Sequence, residues 1–160
     1  MKNHLVEITK YNLWANQKIV ELLNVHPNEL IVQKIENSFP SLQKTMEHIW
    51  AAEQIWLTRL KGISLASLPK LEGEIEDQFK LGLKVSENYM RYVEEKDEGF
   101  LGSNCDFTDT KGTNYSIPVQ KIIHHTMNHS TYHRGQIITL GRQLGFKNLE
   151  STDFITYVRL

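Results

Sequence analysis

Apolar residues recur at helical spacing along three stretches of this chain. In residues 5–23 they return every three or four positions, which predicts an amphipathic helix that ends before Pro27. A second helix is predicted from Ser41, a residue type that favours a helix N-terminus, to Gly62, which suits the position just past a helix end. Residues 75–93 carry a third such pattern. Each helix has one apolar face, so we expect the helices to pack together.

The last third of the chain predicts a connection followed by the longest helix. Residues 99–118, GFLGSNCDFTDTKGTNYSIP, are rich in Gly, Asn, Thr and Asp, and they predict a loop or small hairpin with Lys111 and Gly112 at its turn. The fourth helix should begin at Pro118 and continue past Leu140 until Gly145. The pattern of the final STDFITYVRL does not decide its secondary structure. We therefore expect one all-α four-helix-bundle domain over residues 1–160, with a small irregular or hairpin insertion before the last helix.

Composition agrees with one folded domain and excludes several functions. A length of 160 residues with 40% hydrophobic and 23% charged residues is ordinary for a single soluble domain. A net charge of −1 gives no excess of positive charge for nucleic acid. No stretch reaches the roughly 18 to 20 apolar residues of a membrane span, and residues 1–10 lack a signal-peptide core. We expect a cytoplasmic protein, and the single cysteine, Cys105, fits a reducing compartment.

Three histidines of the predicted fourth helix are the first candidate for chemistry. His125, His129 and His133 are spaced by four residues, so each lies only about 40° further round the helix than the last. Neighbours at this spacing have Cβ atoms about 5–6 Å apart, which lets two imidazoles bind one metal ion. The pattern lacks the glutamate of the HExxH motif, and such pairs also occur by chance on helix surfaces. A metal site needs a ligand from a second element.

His48 in the second predicted helix is the best candidate for that further ligand. It lies in the run TMEHIWAAEQIW, where the small side chains of Ala51 and Ala52 leave room for a water or a substrate. Helix bundles build metal sites in this way, from inward side chains of neighbouring helices. His125 remains open at this point: it could be a ligand, support a ligand, or have a structural role.

Three segments also resemble a known family. The runs YNLWANQKI, HIWAAEQIWL and HHTMNHSTYHRGQI occur in the order and spacing of the DinB/YfiT-like family of metalloenzymes, and the resemblance covers nearly the whole chain. It implies an up-down-down-up four-helix bundle. It also implies that one divalent metal ion is held by His48, His129 and His133, and that the protein forms a homodimer.

The same resemblance narrows the activity without fixing the substrate. Some family members are thiol-dependent transferases or isomerases, and others are classed as metal-dependent hydrolases. We expect a thiol-dependent S-transferase that acts on small electrophiles through a metal-bound thiolate, with a low-molecular-weight thiol as cosubstrate. The alternatives are a hydrolase that uses metal-bound water and a noncatalytic bundle that binds metal or a small ligand. Zinc is the first expected metal and nickel the second, with iron or manganese as further candidates.

The residues beside the proposed ligands carry further expectations. Arg134 is expected to pair with an acidic residue such as Glu53 and so to hold the two metal-bearing helices together. Gly135 costs about 1 kcal/mol in a helix interior relative to alanine, which predicts close helix contact there. Gln136 is expected to hydrogen-bond across the same junction. No carboxylate in the predicted fourth helix shares a turn with His129 or His133, and the sequence names no general base.

Overall fold

The computed structural model describes residues 1–65, 67 and 70–160, and four long helices make up most of them. The elements are α1 Lys2–Asn24, α2 Asn28–Val32, α3 Leu42–Leu60, α4 Ile75–Glu95, α5 Glu98–Gly102, β1 Asn104–Thr108, β2 Asn114–Pro118, α6 Val119–Gln143 and α7 Phe154–Val158. Within these ranges, none of the helices combines the length and apolar character needed to cross a membrane. The predicted helical fold is confirmed, with α1, α3, α4 and α6 as its four long helices.

Contacts between residues of neighbouring helices show the directions in which the four long helices run. Helices α1 and α6 run parallel, and so do α3 and α4, because successive contacts advance in the same direction along both members. These contacts join His4 with His124, Asn16 with Arg134, Gln43 with Gln78, and Leu60 with Tyr92. Helices α3 and α6 run antiparallel, since His48 meets His129 while the later Trp56 meets the earlier His125. The order is therefore up-down-down-up, as the resemblance implied.

Local chemistry explains where the elements begin and end. The Ser41 hydroxyl accepts the Lys44 backbone N–H at 3.1 Å and so caps the first turn of α3. Gly62 and Gly145, just past α3 and α6, have φ values of 79° and 87°, which glycine adopts without steric cost. Gly112 does the same at the hairpin turn, with φ 87°. The predicted boundaries hold to within a few residues because these signals are local.

The hairpin packs against α3 and α6, and the C-terminal segment packs against α1. Strands β1 and β2 pair antiparallel, with Phe107 opposite Tyr115, and the predicted hairpin is confirmed. The C-terminal segment returns to α1, where the Tyr11 hydroxyl donates to the Thr152 carbonyl at 2.8 Å and Phe154 packs edge-on against Tyr11. The short helices α2, α5 and α7 were not predicted from the pattern.

The core consists of two apolar clusters with a buried polar layer between them. One cluster lies toward the hairpin and includes Leu57 and Ile123; the other lies at the opposite end and includes Trp50 and Ile137. The polar layer is formed by residues from all four long helices: Asn12, Asn16, Glu53, Ser86, Ser130 and Arg134. The bundle therefore has polar chemistry at mid-height, where α3 and α6 also carry the candidate metal ligands.

The close helix contact expected at Gly135 lies elsewhere. A Cβ atom added to Gly135 would meet nothing within 4 Å, because this residue faces outward from α6. Gly82 of α4 makes the contact instead: a Cβ atom there would lie 2.0 Å from the indole of Trp50. The expectation was wrong because helix periodicity does not show which glycine faces a large neighbour.

Candidate metal centre

Three imidazoles converge at the junction of α3 and α6. The His48 Nε2 atom lies 3.0 Å from the His129 Nε2 atom, and the His133 Nε2 atom lies 3.1 Å from the same atom. The ligand atoms of the three side chains all fall within 4.8 Å of one another. The antiparallel pairing of α3 with α6 creates this arrangement, because it sets His48 opposite the turn between His129 and His133. The three residues predicted from the sequence are thus brought together.

The spacing and the donor type fit a divalent metal ion. Bonds of about 2.0–2.1 Å at tetrahedral angles place ligand nitrogens about 3.3 Å apart, close to the 3.0 and 3.1 Å that separate His129 Nε2 from the other two Nε2 atoms. Each of the three histidines points the same ring nitrogen, Nε2, at the shared point. Three neutral nitrogen donors of this kind suit zinc, nickel, iron or copper. The residues therefore fit a three-histidine metal site, and they do not select the metal.

Burial keeps two of these imidazoles neutral. The pKa of His48 is lowered from its ordinary value of 6.5 to about 4, mainly by burial and then by the electrostatic effect of the neighbouring His133 imidazole. The pKa of His129 is lowered to about 4 as well, mainly by burial and then by the imidazoles of His133, His48 and His125. Neutral imidazole is the form that binds metal, so both side chains are ready to coordinate at neutral pH.

Aromatic rings form the walls beside the three histidines. Phe39, in the loop before α3, stacks on His48 with ring centroids 4.1 Å apart and meets His133 edge-on at 5.4 Å. Tyr132 of α6 packs edge-on against His133 from another side, at 5.0 Å. Phe39 could not be predicted from the sequence, because a loop residue carries no periodic signal that ties it to a distant helix. These rings restrict the rotamers of the ligands and make part of the surroundings apolar.

A cavity lies next to this group on the outer side of α6. Its volume is about 410 Å³, and its lining includes Tyr132, Gln136 and Thr139 on α6 and Glu36 in the loop before α3. Gly135 also lines it, and the missing side chain there leaves the space open. A substrate bound in this cavity would contact the residues that touch His133.

His125 lies outside the converging group. Its ring centroid is 6.0 Å from that of His129, and it packs edge-on against Trp56 at 5.3 Å. His124 is turned away and lies beside His4 on the α1 side, at 5.4 Å. Several roles were left open for His125. Its packing against Trp56 favours a role beside the candidate ligands over direct coordination.

A buried hydrogen-bond network lies directly behind the ligands. Glu53 and Arg134 are 0% and 1% exposed, yet among the described residues they form no direct ion pair, contrary to expectation. Asn12 and Asn16 lie between them, since each amide donates to Glu53 Oε1, at 2.8 and 3.0 Å, and accepts from Arg134 Nη1, at 2.6 and 2.8 Å. Glu53 also accepts hydrogen bonds from two hydroxyls, those of Ser86 and Ser130.

This network connects all four long helices at the level of the candidate metal ligands. Ser130 and Arg134 each follow a candidate ligand directly in α6, so their buried contacts fix the rotation of that helix. The signal in the sequence was the pair Asn12 and Asn16, two amides four residues apart on the core-facing side of α1. Helical periodicity places them at core positions, and a buried amide needs a partner.

Comparison with known proteins agrees with this architecture. The family model for the DinB family matches residues 1–159. The chain belongs to the DinB family. Protein DinB of Bacillus subtilis (strain 168) is 28% identical over an alignment 167 residues long. The alignment covers 99% of this chain and 95% of that protein. The crystal structure of a DinB-like protein from Bacillus cereus ATCC 10987 superposes with a TM-score of 0.61 at 22% identity, covering 89% of this chain and 91% of the other. The family resemblance read from the three sequence segments is confirmed, and this DinB-like structure has the same helical fold.

Proposed function

We propose that this chain is a metal-dependent thiol S-transferase that acts on small electrophiles, with His48, His129 and His133 as the metal ligands. The observation that carries the proposal is the convergence of three Nε2 atoms from two helices. Three protein ligands leave at least one coordination position free, which is typical of catalytic rather than closed structural sites. A bound divalent ion would lower the pKa of a thiol or water in that position, so that a nucleophile forms at neutral pH.

The neighbours of the three histidines favour a thiol over water. Metal-dependent hydrolases commonly use a carboxylate as general base beside the attacking water. Among the described residues, no carboxylate hydrogen-bonds to any of the three imidazoles, and Glu36 is the carboxylate that lines the adjacent cavity. A thiol needs less assistance, because its pKa of about 8.5 is already far below that of water. Its proton can pass to solvent while the sulfur attacks the electrophilic carbon, and the leaving group then departs with its electron pair.

The thiol has to come from a cosubstrate. Cys105, the single cysteine of the chain, is buried in strand β1, and its thiol donates to the Arg59 carbonyl at 3.2 Å. Burial raises the pKa of this thiol, which disfavours the reactive thiolate. A low-molecular-weight thiol is therefore the expected nucleophile.

The test measures metal content and turnover in the same preparations. Protein purified without chelator is analysed for zinc, nickel, iron and manganese. It is then incubated with 1-chloro-2,4-dinitrobenzene and a panel of low-molecular-weight thiols, and separately with ester and amide substrates. We expect stoichiometric metal and thiol-dependent product formation, with both lost in His48→Ala.

Each other result points to a different function. Ester or amide cleavage that needs metal but no thiol would indicate the hydrolase. Stoichiometric metal with no turnover in either panel would indicate a noncatalytic metal-binding bundle. If the purified protein contains no metal, and if His48→Ala does not change its metal uptake, the proposed metal site is wrong.

A further inference from the structure

Gln136 lies one helical turn beyond His133. It contacts the edge of the His133 ring that points away from the three converging Nε2 atoms. The Nδ1–H group of His133 donates to the Gln136 side-chain oxygen, and the two atoms are 2.7 Å apart. The Gln136 amide nitrogen in turn donates to the Tyr132 hydroxyl at 3.3 Å. Both ends of the amide thus have partners, and with the oxygen facing His133 it is Nδ1 that carries the proton.

The hydrogen bond has a chemical consequence at the other ring nitrogen. A neutral imidazole carries one proton, so a proton held on Nδ1 leaves Nε2 with a free lone pair. Nε2 is the atom that His133 directs at His48 and His129. Ligand histidines usually have such a partner, which fixes the ring orientation and increases ligand basicity.

The other two histidines lack this support. The Nδ1 atom of His129 is buried with no hydrogen-bond partner. Within the described part of the chain, the side-chain hydrogen bonds of His48 involve only its Nε2 atom. Among the described residues, His133 is therefore the one candidate ligand of the three with a protein acceptor on its outer nitrogen.

We infer that Gln136 is a positioning residue that fixes the tautomer and ring orientation of His133 for metal binding, an inference that rests on the proposed three-histidine site. Its place in the fold argues against a purely structural role. Gln136 is half-buried at the edge of the 410 Å³ cavity, and its two hydrogen bonds remain within α6. Solvent can partly replace the lost acceptor, so the effect of its removal belongs at the low end of the usual 10- to 100-fold range.

Three variants separate positioning from packing. Gln136→Leu keeps the size and removes the acceptor, Gln136→Glu keeps an acceptor oxygen, and Gln143→Ala changes another glutamine of α6 that lines the same cavity. Zinc affinity is measured by competition with a chromophoric chelator, and urea unfolding of the metal-free proteins reports stability. We expect about 10-fold weaker zinc binding in Gln136→Leu. Gln136→Glu and Gln143→Ala should bind zinc at least as tightly as the wild type, and metal-free stability should change little.

A second measurement does not depend on metal. Nitrogen-15 NMR of the metal-free protein, with His133→Gln used for assignment, reports which ring nitrogen of His133 carries the proton. The wild type should show the Nδ1–H tautomer, and Gln136→Leu should lose that preference. An Nε2–H tautomer in the wild type, or equal zinc affinity in the wild type and Gln136→Leu, would overturn the role of Gln136. Zinc binding that depends on Gln136 in a protein without turnover would instead count against the proposed transferase while supporting this inference.

Discussion

Arg134 donates a hydrogen bond to Asn16 at 2.8 Å in the middle of the bundle, and the same asparagine amide donates to Glu53. One side chain therefore hydrogen-bonds to both a buried guanidinium and a buried carboxyl group. Removing one partner of a buried charge is costly, because the charge left behind has lost both water and protein contacts.

Asn16→Leu should consequently destabilise the fold strongly. It removes hydrogen bonds from both Glu53 and Arg134, and we expect a loss of about 3 kcal/mol in the free energy of unfolding. Urea denaturation with chelator present measures this loss. The neighbouring Gln17 is exposed, so Gln17→Leu is the matched control and should change stability by less than about 0.5 kcal/mol. Similar stabilities for the two variants would show that the network contributes little.

The two glycines with opposite surroundings should respond in opposite ways to alanine. Gly82→Ala places a methyl group against the Trp50 indole, so we expect at least about 1–3 kcal/mol of destabilisation. Gly135→Ala meets open space in a helix interior and should stabilise the protein by up to about 1 kcal/mol. Thermal unfolding of both variants checks this pair, and a stabilising Gly82→Ala would show that α3 and α4 separate easily.

His125→Ala should retain the metal. His125 stands outside the group whose Nε2 atoms converge and contacts Trp56 instead. We expect zinc stoichiometry and affinity within about threefold of the wild type, whereas His129→Ala should lose most of its affinity because an inner ligand is removed. Chelator competition on both proteins makes the comparison. Equal losses in the two variants would mean that His125 also coordinates.

The metal-free protein should become less stable as pH falls from about 6.5 toward 4. His48 and His129 each have a pKa of about 4 in the folded protein, below the ordinary value of 6.5 that applies after unfolding. Between these values the unfolded chain binds more protons, so the free energy of unfolding decreases as pH decreases. Their contribution is complete above pH 6.5 and lost as pH passes through about 4.

Urea unfolding at pH 7 and pH 5 in the presence of chelator measures this dependence. The double variant His48→Gln, His129→Gln is the control, since its two amides do not titrate. Its stability should change less between the two pH values than that of the wild type. An equal change in both proteins would assign the pH dependence to other groups.

Much of the fold and of the candidate metal centre could be predicted because both depend on regular spacing. Helical periodicity gave the four long helices, and the four-residue ladder placed His129 and His133 on one face. His48 could be added because bundles build sites between helices, and the family resemblance gave the helix order. The boundaries were accurate where a local residue such as Ser41 or Gly112 sets the backbone.

The contacts that were not predicted depend on which side of each helix packs against its neighbour. Periodicity places Asn12 and Asn16 at core positions but does not identify their partner Arg134, which lies 122 and 118 positions away in the chain. Phe39 lies in a loop without periodicity. Gly82 rather than Gly135 receives a large neighbour, because the packing direction of each helix is set by tertiary contacts.

His48 and His129 lie 81 positions apart in the chain. An ion bound to both would act as a cross-link that closes this long loop in a protein with one cysteine and so no internal disulfide. A covalent cross-link of that span would stabilise the folded state by about 4.5 kcal/mol, because it reduces the chain entropy of the unfolded state. This value is the upper limit for the stabilisation that a reversible metal cross-link can give through chain entropy. Metal supply would then govern how long the folded chain persists as well as whether it reacts.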